Sequence, residues 1–145
     1  FEKTKIKWFK EIRIKDISYE AKLTKNKKKY SIEFDSTGTL EDVEINIKFK
    51  SLEENLRSNI EKNTSTEFSK YHVRKSQLQW SGNIVAIEEL IKKGKTTRKY
   101  KTCYEVVMHA KKDKVIKLYE ILFDNKGEII LILEIKERPT DNMIF

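Results

Sequence analysis

The chain has one cysteine, one proline, four glycines and two histidines in 145 residues, and each scarcity excludes something. With Cys103 alone, no intrachain disulfide forms, so cysteine pairing says nothing of the redox compartment. His72 and His109 stand 37 positions apart, without metal-ligand spacing. Four glycines leave no glycine-rich phosphate loop. No apolar run approaches the roughly 20 residues needed to span a bilayer as a helix. The chain begins at Phe1, not at a methionine, which we read as processing or trimming; a removed signal peptide would leave no trace.

Charge is abundant. Charged residues make up 37% of the chain, and 31 Lys+Arg against 23 Asp+Glu give a net charge of +8. That balance favours acidic partners. The lysines are spread over nearly every strand-like segment, as solubilising sheet residues are. Basic and aromatic residues interleave at 5–10 and 98–104, the composition of a single-strand nucleic-acid face; without an RNP-like or OB-fold signature, no specific nucleic-acid partner is expected.

A doubled pattern dominates the chain. Tyr19-Glu20-Ala21-Lys22-Leu23 is followed by Tyr30-Ser31-Ile32-Glu33-Phe34-Asp35-Ser36-Thr37-Gly38 and an alternating run to Phe49. Tyr104-Glu105-Val106-Val107-Met108 is followed by Tyr119-Glu120-Ile121-Leu122-Phe123-Asp124-Asn125-Lys126-Gly127 and a run to Ile135. Period-two alternation makes these segments strands. Residues 4–14 and Tyr71–Trp80 read as further strands, and Lys25–Lys29 as a hairpin loop. Asp35 with Gly38, and Asp124 with Gly127, predict type I turns closed by a left-handed glycine. The glycine lies three positions after each aspartate, not two as in aspartic proteases, so the pair is structural. Neither turn has the alternating carboxylates of a calcium loop.

Two helices are predicted. Ser51 and Glu54 form a capping box opening a helix with Leu52, Leu56 and Ile60 on one stripe, ending near Asn63. The second lies in an insertion. The offset between copies rises from 67, where residues 70–75 are laid on 3–8, to 85 between Tyr19 and Tyr104, which is 18 added residues at 81–98. Within them Ile84, Ile87, Leu90 and Ile91 keep helical spacing, and Lys92-Lys93-Gly94 forms an end. Between Tyr30 and Tyr119 the offset is 89, placing four further residues in the second hairpin loop.

These motifs resemble the PepSY-like family of small secreted bacterial proteins, related in fold to beta-lactamase inhibitor protein. Phe1-Glu2-Lys3 before Ile6-Lys7-Trp8 is similar to that family's helix end and first strand. Tyr19-Glu20-Ala21 with Phe34-Asp35 to Gly38, and the second copy through Gly127, are similar to its repeated hairpin. The insertion is longer than in the family, and no proline precedes the central helix. The resemblance implies a secreted or periplasmic protein, or a lipoprotein whose only membrane link is a lost lipid anchor. Its relatives suggest inhibitory or peptide-binding roles.

The predicted architecture is α+β: two tandem helix-plus-four-strand repeats, at about 1–50 and 51–138, forming a curved antiparallel sheet with helices on one face. The first repeat lacks its helix, which upstream residues would supply unless its sheet leaves an apolar face open. The copies also differ in polarity. The face opposite Tyr30, Ile32 and Phe34 carries Lys29, Ser31 and Glu33, whereas that opposite Tyr119, Ile121 and Phe123 carries Leu118, Glu120 and Leu122. A sheet covered on one side then exposes Leu118, Leu122, Ile130 and Ile132, the kind of patch that marks an interface, unless the inserted helix folds over it. With Trp8 and Trp80 these are the candidate partner-binding residues. No acid, base, nucleophile, metal or cofactor set stands out. The reading is a non-catalytic binding module for an unknown, acidic protein or peptide; the alternative is a structural protein that forms a homodimer through the second sheet face.

Overall fold

The computed structural model describes residues 5–12 and 16–136. In chain order the elements are β1 (Ile6–Ile12), β2 (Ile17–Lys25), β3 (Lys28–Phe34), β4 (Leu40–Ile47), α1 (Glu54–Glu67), β5 (Lys70–Ser81), α2 (Ile84–Lys93), β6 (Lys101–Lys112), β7 (Val115–Asp124) and β8 (Ile129–Ile135). The strands form one eight-stranded antiparallel sheet whose spatial order follows the chain. Among the described residues no helix is long and apolar enough to cross a membrane. Phe1-Glu2-Lys3, the ends of the expected strand at 4–14, and Pro139 lie outside the described residues.

This corrects the expected two tandem helix-plus-four-strand repeats. Strand dominates a single sheet, and both helices lie mid-chain, α1 between β4 and β5 and α2 between β5 and β6. The compact units do not follow the repeats either. Unit 1 comprises Phe1–Asn46 and Gln77–Cys103; unit 2 comprises Ile47–Ser76 and Tyr104–Phe145. The physical reason is where the apolar faces find cover. The inserted segment carries the helix that packs on the first copy's strands, so each unit is assembled from two stretches of chain.

In unit 1, α2 begins at the N-cap Asn83, whose side chain accepts from the Ala86 amide at 3.1 Å. It ends at Gly94, whose left-handed φ of 74° lets its amide reach the Leu90 carbonyl at 2.9 Å, the expected glycine C-cap. Ile87 packs with Val43 and Ile45 of β4, flanked by Tyr30, Ile32, Leu40, Leu78, Trp80 and Ile91.

In unit 2, α1 turns Leu56 and Ile60 onto Val106, Met108 and Ala110 of β6 and Ile121 and Phe123 of β7, with Leu52 and Phe68 at its ends. Each such fully buried side chain contributes about 1.5–3 kcal/mol. The expected capping box is displaced. Ser51 ends a 3-10 turn and donates to the Lys48 carbonyl at 2.6 Å, while the Glu53 carboxylate accepts from the amides of Asn55 and Leu56, both at 3.1 Å. The helix also runs to Glu67 rather than ending near Asn63, because Thr64 is buried in it and bonds back to the Ile60 carbonyl at 2.7 Å.

Candidate partner-binding face

The doubled motif builds the same turn twice. Asp35 Oδ1 accepts from the amides of Thr37 and Thr39, both at 2.9 Å, and Gly38 donates to the Asp35 carbonyl at 3.0 Å. Asp124 Oδ1 accepts from Lys126 at 2.8 Å and Glu128 at 2.9 Å, and Gly127 donates to the Asp124 carbonyl at 3.1 Å. Gly38 and Gly127 take φ of 82° and 88°, where a Cβ is disfavoured. Both aspartates are thus engaged by their own backbones.

The other turns are also equivalent. Asn26-Lys27 and Asp113-Lys114 are two-residue loops with positive φ throughout, the type I′ geometry that matches strand twist. Lys25 pairs with Lys28 and Thr24 with Lys29, so the expected loop at 25–29 is mostly strand. The four added residues lengthen the second hairpin's strands: Asn26 to Asp113 is an offset of 87, midway between 85 and 89, which puts two on each side of the turn.

Each turn is followed by a bulge. Glu33 pairs with Asp42 and Phe34 with Leu40, leaving Glu41 as the extra residue. Leu122 pairs with Leu131 and Phe123 with Ile129, leaving Ile130 as the extra residue. A bulge sets two residues opposite one on the same side. The side away from the helix therefore carries Glu33, Glu41 and Asp42 in unit 1 and, at the equivalent positions, Leu122, Ile130 and Leu131 in unit 2.

The bulge changes which candidates share a face. Ile132 pairs with Ile121 and packs against the α1 core, so it lies on the helix-covered side. The opposite side carries Leu118, Glu120, Leu122, Ile130, Leu131, Leu133 and Ile135; of these Ile130, Leu131 and Leu133 are 46–47% exposed, and Leu118, Glu120, Leu122 and Ile135 are half-buried. Leu131 and Leu133 were not picked out from the sequence. The sequence carries no signal for them, since both copies have the same length after the turn and the bulge shows only in the strand pairing. The tryptophans belong to unit 1. Trp8 is 62% exposed with its ring 5.8 Å from that of Phe34. Trp80 is half-buried beside the α2 core, its ring 6.4 Å from that of Tyr100.

Unit 1 also gathers a set that the sequence did not reveal. Carboxylate oxygens of Glu11, Glu20 and Glu33 lie within 4.8 Å of one another. They come from β1, β2 and β3, at unrelated spacings, and only the register unites them: Glu20 pairs with Glu33, and Glu11 with Ser18. Ser31 donates to Glu20, and the Lys22 ammonium lies 3.7 Å from the same carboxylate and 5.3 Å from the centre of the Phe9 ring.

No family model matches the sequence, and no curated relative matches it. Solved structures do. A DUF2874 family protein from Bacteroides ovatus is similar at TM-score 0.59 and 11% identity, over 92% of this chain and 78% of that one. A BLIP-like protein from Bacteroides fragilis is similar at TM-score 0.57 and 11% identity, over 95% and 80%. A candidate periplasmic protein from Bacteroides eggerthii is similar at TM-score 0.59 and 14% identity, over 93% and 81%. At these identities the likeness establishes the fold, which is BLIP-like; it does not show membership of the PepSY-like family.

Proposed function

We propose that this protein is a non-catalytic, secreted or periplasmic protein-binding module. The observation that carries the reading is the strip Leu118, Leu122, Ile130, Leu131 and Leu133 on the helix-free side of β7 and β8, apolar but for Glu120, where the equivalent side of unit 1 is acidic. Patches of this kind mark interfaces. Exposed lysines at 126 and 136 stand at the ends of the same strands, which favours a partner with acidic residues around an apolar centre. The periplasmic setting is supported by one similar fold described as a candidate periplasmic protein. The BLIP-like neighbour makes inhibition the specific form of binding to examine first; that step is analogy.

The test compares two charge insertions against capture from a cell-envelope extract. Leu131→Asp leaves folding within about 1 kcal/mol and abolishes capture of any species held by the unmodified protein. Ile132→Asp, on the helix side, lowers stability by about 2 kcal/mol or more. Unchanged capture by Leu131→Asp contradicts the proposal.

A second reading is self-association, favoured by the position of β8 at the end of the strand order with one charged residue, Glu134, in seven. Edge strands so poorly guarded pair readily with other strands. A monomer by light scattering at micromolar concentration removes this reading and leaves the first intact.

A further inference from the structure

We propose that unit 1 binds a calcium ion between Glu11, Glu20 and Glu33, on the side of β1, β2 and β3 away from α2. Like charges directly opposite on neighbouring strands are destabilising, yet Glu20 faces Glu33 and Glu11 brings a third carboxylate within 4.8 Å. Lys22 supplies one compensating charge to Glu20. A divalent cation among the three oxygens converts their repulsion into coordination.

Ser18 points independently to a ligand. It is 1% exposed, and its hydroxyl oxygen has no hydrogen-bond partner. Buried polar atoms are rarely left so. Ser18 is the cross-strand partner of Glu11 and lies two residues from Glu20, so strand alternation turns its hydroxyl to the side that carries the carboxylates. It is a fourth oxygen donor. Ser31, 5% exposed and on the same side of the sheet, holds Glu20 by donating to its carboxylate, the outer-shell role that orients metal ligands.

The chemistry selects the ion. An all-oxygen set without histidine or thiolate suits a hard cation. Calcium takes such oxygens at about 2.3–2.6 Å in flexible geometry, whereas magnesium demands near-ideal octahedral geometry at about 2.0–2.1 Å and gives up its waters reluctantly. The remaining positions fall to water, since Glu11 is exposed. Lys22, with its side chain 49% exposed, withdraws as the cation enters.

The experiment uses the full chain freed of metal by chelation and titrated with calcium chloride, followed by calorimetry and thermal unfolding. Expected is saturable one-to-one binding, near the about 10⁻⁴–10⁻³ M range of extracellular calcium modules, with the melting temperature rising as calcium is added and a weaker response to magnesium. Glu20→Gln and Glu33→Gln each weaken binding about tenfold or more. Two results overturn the proposal: no calcium-dependent heat or melting shift up to roughly 10 mM, above that range, or Gln variants that melt lower in chelator with the calcium response unchanged, which would make the cluster an internal ion-pair network.

Discussion

After the same Asp-x-x-Gly turn, the same bulge carries Glu33, Glu41 and Asp42 in one unit and Leu122, Ile130 and Leu131 in the other. The backbone hydrogen bonds around Asp35 and Asp124 match to within about a tenth of an ångström. Local backbone geometry is thus indifferent to what its outward side chains are. The repeated residues set the shape of the hairpin, and the divergent ones decide what the bulge presents: carboxylates in unit 1, apolar side chains in unit 2.

The two glycines offer the sharpest way to break the equivalence. A Cβ at Gly127 would stand 2.9 Å from Asn59 Cβ, 3.1 Å from the Ile60 amide nitrogen and 3.2 Å from the Leu56 carbonyl, while one at Gly38 meets nothing within 4 Å. The turn of unit 2 is docked under α1, where Asn59 and Asn63 donate to the carbonyls of Lys126 and Gly127 at 3.0 and 2.8 Å. Gly38→Ala costs only the left-handed strain, about 1–2 kcal/mol. Gly127→Ala adds overpacking of about 1–3 kcal/mol. Urea unfolding of the two variants measures the difference, and equal losses would show that the docking contributes nothing.

Smaller, and similar between units, is the effect of removing the aspartates, although Asp35 also accepts from the Thr37 hydroxyl at 2.6 Å. Asp35→Ala and Asp124→Ala each strand two backbone amides, at about 1–2 kcal/mol per variant. Matching midpoint shifts support the structural reading of both turns; a loss confined to one would give that aspartate a separate role.

Much of the local structure is legible in the sequence because it is written in neighbouring residues. The turns at Asp35 and Asp124, the stripe Leu52, Leu56 and Ile60, and the end of α2 at Gly94 all rest on spacings of a few positions. What long-range packing decides is not legible. Nothing within 81–98 states that its helix will cover Val43 and Ile45, so the first copy reads as lacking a helix that the insertion supplies. The start of α1 is missed for a local reason. Ser51 is drawn into a 3-10 turn, leaving Glu53 to cap.

The candidate site shows the same division. Strict alternation along β8 puts Ile130 and Ile132 on one face; the single extra residue in the bulge keeps Ile130 outward with Leu131 and sends Ile132 inward. The carboxylate cluster is invisible for a related cause, since Glu11, Glu20 and Glu33 have no common spacing and meet only through the pairing of three strands.

The most direct test of the claim that outward residues carry function on an indifferent backbone is to give unit 2 the residues of unit 1, as Leu122→Glu, Ile130→Glu and Leu131→Asp together. The account predicts cooperative urea unfolding within about 1 kcal/mol of the unmodified protein, with partner capture lost. A variant that unfolds would contradict it, because the strip would then be part of the core that holds the fold.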